Sequence, residues 1–154
     1  MGHRIRHAIK QGTFEKPLDG TIEIDETFVG GKNKNRHHNK KVKQSQGRSY
    51  KDKTPVLGII QRQGELRAFT IPDTKQDTIQ PIIEDQIKYG ATIYTDEWWA
   101  YRQLYQLYNH AIVNHAARQY VDGNIHTNTI EGFWGQFKRS IIGIYVQAPL
   151  WAIN

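Results

Sequence analysis

The sequence predicts a mixed α/β fold, because segments with the two-residue period of strands alternate with segments that have the 3.6-residue period of helices. In the first predicted strand, apolar side chains alternate with Glu23, Asp25 and Thr27, which gives the strand one acidic face. Two β-rich runs, 54–61 and 66–71, are separated by the turn RQGE and predict a hairpin. The chain of 154 residues is long enough for one domain with a core.

The following segments alternate between helix and strand. Isoleucines at helical spacing predict a helix over 73–89, in which Pro81 is tolerated in a first turn or marks the true start. The next predicted elements are a strand over 91–95 that runs into Asp96, a Tyr- and Leu-rich helix over 100–108 and a brief strand over 111–114.

The last predicted helix, 126–141 (HTNTIEGFWGQFKRSI), has an apolar stripe and a polar face. At roughly 100° per residue, its large apolar side chains fall within about a 100° arc, namely Ile130, Phe133, Trp134, Phe137 and Ile141. Lys138 lies about 20° to one side of Glu131, and Asn128 lies about 60° to the other side. An acid, an amide and a cation therefore share one open face. Thr127 or Asn128 is expected to cap the helix start.

Positive charge is concentrated between positions 32 and 53. Nine Lys or Arg residues stand there against the single acid Asp52, a local charge of +8, and since the whole chain has +6, the remainder sums to about −2. A dense basic segment of this kind favours a polyanion partner, because each neutralised phosphate releases counterions. The alternative is a solvated, disordered loop.

Composition and hydropathy exclude several classes of protein. There are no cysteines, so disulfides and thiolate zinc sites are excluded and a reducing compartment is expected. No apolar run approaches the roughly 20 residues that cross a bilayer, and the first residues lack the apolar stretch of a signal peptide. We therefore expect a cytoplasmic protein with no membrane partner.

Two acids, Asp25 and Asp96, stand on the polar face or at the end of predicted strands, and the last helix offers Glu131 and Asn128. Oxygen ligands from separate elements suit Mg²⁺ or Mn²⁺. The neighbouring acids Glu26 and Glu97 are interpreted as structural rather than as further metal ligands. His126 is expected either to support a carboxylate or contact DNA, or to have a packing or capping role.

Three blocks of the sequence, IEIDETFVGGK, IYTDEWWAY and HTNTIEGFWGQFKR, span residues 22–139 and resemble the catalytic domain of insertion-sequence DDE transposases. The resemblance implies a ribonuclease H-like fold, a mixed sheet of three antiparallel strands plus two parallel strands flanked by helices. It implies Asp25 and Asp96 as the first two catalytic acids and metal ligands. Glu131, with Lys138 seven positions later, fits the third position, and Asn128 is the competing match.

The resemblance also implies two Mg²⁺ or Mn²⁺ ions and metal-dependent cleavage and joining of the element's DNA ends. Homo-oligomers on DNA, contact with element ends and target, and association with the nucleoid are the expected consequences. We expect the DNA backbone to be held by basic residues of the 32–53 loop and of the last helix: Lys32, Lys34, Arg36, Lys40, Lys41, Lys43, Arg48, Lys138 and Arg139.

In this interpretation, residues 1–19 are a lead-in left from a missing DNA-binding region, and residues 20–154 are the catalytic domain, shortened at its C-terminus. Two other functions remain open at the level of sequence. One is a different ribonuclease H-like nuclease, which substrate preference would distinguish. The other is a catalytically silent DNA-binding remnant, whose DNA binding would not respond to Mg²⁺ or to removal of the acids.

Overall fold

The structure is a computed structural model that describes residues 16–30, 37–41, 43, 53–113 and 126–144, without the side chains of Lys40 and residues 141–144. Its sheet has five strands: β1 (Thr21–Val29), β2 (Thr54–Gln61), β3 (Leu66–Thr70), β4 (Thr92–Thr95) and β5 (Asn109–Ile112). The α-helices of this part of the chain are α1 (Gln76–Gln86) and α2 (Asn128–Ile144). None of the described helices is both long enough and apolar enough to cross a membrane.

The strands lie in the order β3-β2-β1-β4-β5. The pairs β3–β2 and β2–β1 are antiparallel, and the pairs β1–β4 and β4–β5 are parallel. Three antiparallel strands plus two parallel ones, flanked by helices, confirm the ribonuclease H-like mixed sheet expected from the sequence.

The two faces of the sheet bury two different apolar clusters, because successive side chains of a strand point to opposite faces. On one face, Ile79 and Ile83 of α1 pack against apolar side chains of the three central strands, including Ile22, Ile24 and Ile93. On the other face, α2 packs through Ile130 and Trp134 against Val29 of β1 and Val56 of β2. The acidic face of β1 is therefore the face that α2 covers.

Helix α1 is shorter than predicted, and Pro81 is its sixth residue, so the predictions that Pro81 lies in the first turn or starts the helix are wrong. The segment before the helix is ordered instead by Asp73, whose Oδ1 accepts hydrogen bonds from the Lys75 amide and the Thr78 hydroxyl. Pro81 and Asp77 are both exposed, so water can reach the Asp77 carbonyl that lacks its helical donor.

The helix predicted over 100–108 is wrong: the structure has two 3₁₀ turns, Trp99–Tyr101 and Leu104–Gln106. The buried side chains explain the difference, because Tyr101 and Leu104 are three residues apart, which is the period of a 3₁₀ helix. The next strand, β5, begins at Asn109, two residues before its predicted start.

A side-chain contact joins Thr95, the last residue of β4, to His110 of β5. The Thr95 hydroxyl and His110 Nε2 are 2.8 Å apart, and Thr95 is fully buried. Burial lowers the pKa of His110, because desolvation disfavours the charged imidazolium.

A buried histidine with a lowered pKa makes stability depend on pH. In the unfolded chain His110 has a pKa of about 6.5, so the unfolded state binds more protons than the folded state as the pH falls, and the free energy of unfolding decreases. We expect this loss between pH 7 and pH 5 to be smaller in His110→Gln, which keeps a polar partner for Thr95. Urea unfolding at the two pH values measures it, and equal losses in both proteins would contradict the assignment.

Gly58 allows α2 to approach the sheet closely. It lies opposite Asp25 in the β1–β2 register, and a Cβ at this position would be 2.4 Å from Cζ2 of Trp134 and 3.1 Å from Cδ1 of Ile130. Both neighbours are buried side chains of α2. Only glycine therefore lets the indole lie directly on β2.

We predict that Gly58→Ala lowers the free energy of unfolding by about 1–3 kcal/mol, because the added methyl group overpacks a rigid contact. Gly132→Ala is the matched control: its added Cβ meets nothing within 4 Å, and alanine favours the helix. Denaturant unfolding of both variants measures the difference. Equal stability of Gly58→Ala and the unsubstituted chain would show that the indole is not held against the glycine.

Candidate metal centre

The register of the parallel strands brings two aspartates side by side. Ile22 pairs with Ile93 and Glu23 pairs with Tyr94, so the same register continued by two residues sets Asp25 level with Asp96. Asp96 directly follows the last residue of β4. The carboxyl ends of parallel strands are where α/β sheets commonly place their ligands.

Three carboxylates meet at this point. Asp25, Glu26 and Asp96 each offer an oxygen atom, and these atoms all lie within 4.8 Å of one another. Asp25 and Asp96 are half-buried, whereas Glu26 is only 8% exposed. The sequence favoured a structural role for Glu26, and its adjacency to Asp25 was the only signal that could have suggested its membership of this group.

The donor set fits a hard divalent cation. All its donors are carboxylate oxygens from two adjacent strands, which is the chemistry that Mg²⁺ and Mn²⁺ prefer. Carboxylates this close repel one another, and a cation between them relieves the repulsion. One oxygen of Asp96 also accepts a hydrogen bond from the Trp98 amide at 3.0 Å, which orients the carboxylate.

A buried phenol lies against the carboxylate group. Tyr101 is fully buried, and burial raises its pKa well above the usual range; the negative charges of Glu26, Asp25 and Asp96 raise the pKa further. The phenol therefore stays protonated and adds no negative charge beside the three carboxylates.

The predicted site residues of α2 are all exposed: Asn128, Glu131 and Lys138. The three-carboxylate group does not include Glu131, whose Oε1 accepts a hydrogen bond from the Thr127 hydroxyl at 3.0 Å. Asn128 is the first residue of the helix, so both alternatives for the third ligand belong to its first turns.

The start of α2 is capped by a residue of β1. Glu23 is fully buried, and its carboxylate accepts hydrogen bonds from the Thr129 and Ile130 amides at 3.0 Å and from the Thr129 hydroxyl at 2.8 Å. These amides belong to the first turn of the helix, where a carboxylate also favours the positive end of the helix dipole.

Arg62 completes this network. Its Nε lies 2.8 Å from Glu23 Oε1, and one of its terminal nitrogens donates to the His126 carbonyl at 2.8 Å. The same nitrogen is 3.0 Å from His126 Nδ1, which itself lies 3.4 Å from Glu23. The guanidinium also lies over the Tyr94 ring, 4.7 Å from its centre. We call Glu23, Arg62, His126 and Thr129 the capping network.

The capping network corrects the expectation that Thr127 or Asn128 caps the helix. The two amides that a side-chain cap would satisfy donate to Glu23, and the Thr127 hydroxyl donates to Glu131 instead. Glu23 was visible in the sequence as part of an acidic strand face, but nothing local identified its partners more than a hundred positions away. His126 does contact a carboxylate, that of Glu23.

The predicted DNA contacts are described only in part. Lys41, Lys43, Lys138 and Arg139 are exposed, and Lys40 belongs to the short 3₁₀ turn His38–Lys40. Four of the predicted contacts lie outside the described residues: Lys32, Lys34, Arg36 and Arg48.

Comparison with known proteins identifies a transposase family. Residues 17–149 match the ISXO2-like transposase domain. A curated relative, an uncharacterised protein of the transposable element ISH50 of Halobacterium salinarum, is 28% identical over 123 residues, which cover 74% of this chain. The chain spans 42% of the length of that relative. No solved structure matches the chain significantly.

The family match covers all three blocks that resemble insertion-sequence transposases, together with the acids that the register brings together. The chain belongs to the family of ISXO2-like transposase domains.

Proposed function

We propose that this chain is the catalytic domain of a DNA transposase that cleaves the ends of an insertion sequence and joins them to target DNA. The observation that carries the proposal is the convergence of Asp25, Glu26 and Asp96 at the end of β4, with ligand atoms within 4.8 Å, inside an ISXO2-like transposase domain. Such a group suits metal-dependent phosphoryl transfer.

In this proposal, Asp25 and Asp96 hold Mg²⁺ or Mn²⁺, with Glu131 or Asn128 of α2 as the third ligand. Two ions held there would supply the chemistry of two-metal phosphoryl transfer, namely activation of a water molecule or a DNA 3′ hydroxyl and stabilisation of the leaving oxygen. Glu26 adds negative charge on the buried side of the group, which favours a cation there.

The protein's own side chains then have two tasks. The acids would hold the cations in place, and bound cations would position the scissile phosphate relative to the attacking oxygen, which lowers the entropic cost of the reaction. Lys138 and Arg139, both exposed on α2, and the basic residues between 32 and 53 neutralise the DNA backbone. No covalent protein intermediate is needed. Cleavage of paired element ends further implies a homo-oligomer on DNA and association with the nucleoid.

We predict that Asp25→Asn and Asp96→Asn each reduce Mn²⁺-dependent nicking and strand transfer by about a hundredfold or more, because each loses a charged metal ligand. The assay uses DNA that carries the element's terminal sequences. Asp77→Asn is the matched control, since Asp77 is an exposed acid of α1, and its activity should be unchanged. Full activity of either variant at the site would disprove the proposed centre.

The third ligand is tested separately with Glu131→Gln and Asn128→Ala. We expect Glu131→Gln to reduce activity by about tenfold or more, which is a larger loss than that of Asn128→Ala, because a carboxylate binds Mg²⁺ and Mn²⁺ more strongly than an amide does. Gln136→Ala, at another exposed position of α2, is the control. Parallel titrations with Mn²⁺ measure ion affinity, and a larger loss in Asn128→Ala than in Glu131→Gln would assign the ligand to Asn128 instead.

A further inference from the structure

We propose that Glu23 is a positioning residue for the metal centre: it holds the start of α2 in the place from which the helix supplies its ligand. This inference rests on the proposed function, because it concerns the third ligand of the same centre. It assigns a separate task to each acid on one face of β1, with Asp25 binding the ion and Glu23 binding the helix.

Glu23 lies on the same face of β1 as the proposed metal ligand Asp25. It lies two residues before Asp25 on the same strand, so both carboxylates point to the face that α2 covers. Asp25 is half-buried in the three-carboxylate group, whereas Glu23 is fully buried beneath the helix start. The rigid strand therefore fixes the distance between the acid that holds the ion and the acid that holds the helix.

The contacts of Glu23 restrain the first turn of α2 directly. Glu23 accepts hydrogen bonds from the Thr129 and Ile130 amides, which lie between Asn128 and Glu131 in the chain. Backbone bonds of this kind fix both the translation and the rotation of the turn. A shift of that turn would move either of the alternative ligands.

The charge of Glu23 is balanced at the start of α2. Arg62 lies 2.8 Å from Glu23 and also holds the His126 carbonyl, just before the helix. The guanidinium and the helix N-terminus together balance the buried carboxylate. Glu23 therefore binds the helix start rather than the ion, even though it is only two residues from Asp25 in sequence.

The test measures Mn²⁺ affinity of the full chain, by the electron paramagnetic resonance signal of free Mn²⁺. In Glu23→Gln, the NH₂ group of the carboxamide faces hydrogen-bond donors that the carboxylate accepted from, and the negative charge that pairs with Arg62 is lost. We expect Mn²⁺ binding to be about tenfold weaker, as it is when other groups that orient metal ligands are removed. Glu65→Gln is the matched control: it removes the carboxylate partner of another arginine, Arg67, far from α2 in the chain, and should bind Mn²⁺ as the unsubstituted chain does.

A double-mutant cycle separates positioning from general weakening of the fold. In a chain that carries Glu131→Ala and Asn128→Ala together, neither alternative ligand of α2 remains to be positioned, so adding Glu23→Gln should cause no further loss of affinity. Full additivity of the losses would overturn the proposal. So would Mn²⁺ affinity of folded Glu23→Gln equal to that of the unsubstituted chain.

Two further measurements keep the test decisive if Glu23→Gln folds poorly. Thr129→Val removes only the 2.8 Å hydroxyl contact at an exposed position, and we expect about threefold weaker Mn²⁺ binding and faster hydrogen exchange of the first-turn amides of α2. Unchanged affinity and unchanged exchange would contradict the proposal. The proposed function itself is checked by Asp25→Asn: if that variant binds Mn²⁺ normally, the metal centre fails, and the positioning role of Glu23 fails with it.

Discussion

The structure depends on one buried interaction, the carboxylate of Glu23 against the first turn of α2. A buried carboxylate without partners is strongly unfavourable, and removing one partner from a buried charged network typically costs about 3–5 kcal/mol. Here the first-turn amides of the helix and Arg62 satisfy the charge together. The interaction therefore fixes where α2 begins on the sheet, because in any other position the buried carboxylate would lose the amide donors of the first turn.

The second constraint on α2 lies further along the helix. The Trp134 indole packs against Gly58, which pairs with Asp25 across β1 and β2. The helix is thus held at its start by an acid of β1 and in its middle by a glycine of β2. Two fixed points on neighbouring strands leave α2 little freedom to move relative to the three-carboxylate group, which is what the proposed metal centre, built from separate elements, requires.

The sequence was sufficient to predict the features that depend on residues close together in the chain. Alternation in TIEIDETFV and the strand end before Asp96 predicted strands β1 and β4 and their acids. The three blocks predicted the ribonuclease H-like sheet that the structure confirms. The 3₁₀ turns were missed because Tyr- and Leu-rich segments suit either kind of helix, and tertiary burial of Tyr101 and Leu104 decided between them.

The features with a distant cause could not be predicted. Gly58 resembles any glycine in an apolar strand until Trp134, 76 positions later, is placed against it. Glu23 and Glu26 are neighbours in an acidic strand, yet one binds a helix start and the other joins Asp25 and Asp96. Only the packing of α2 and the parallel register of β4 assign these different surroundings.

The central claim is that the acids brought together by the parallel register form a metal centre. A crystal of the protein soaked in Mn²⁺ tests it most directly, because the anomalous signal locates the ion independently of activity. The account predicts an anomalous peak between the carboxylates of Asp25 and Asp96. A soaked crystal with Mn²⁺ bound only elsewhere, or with no peak between these two side chains, would contradict it.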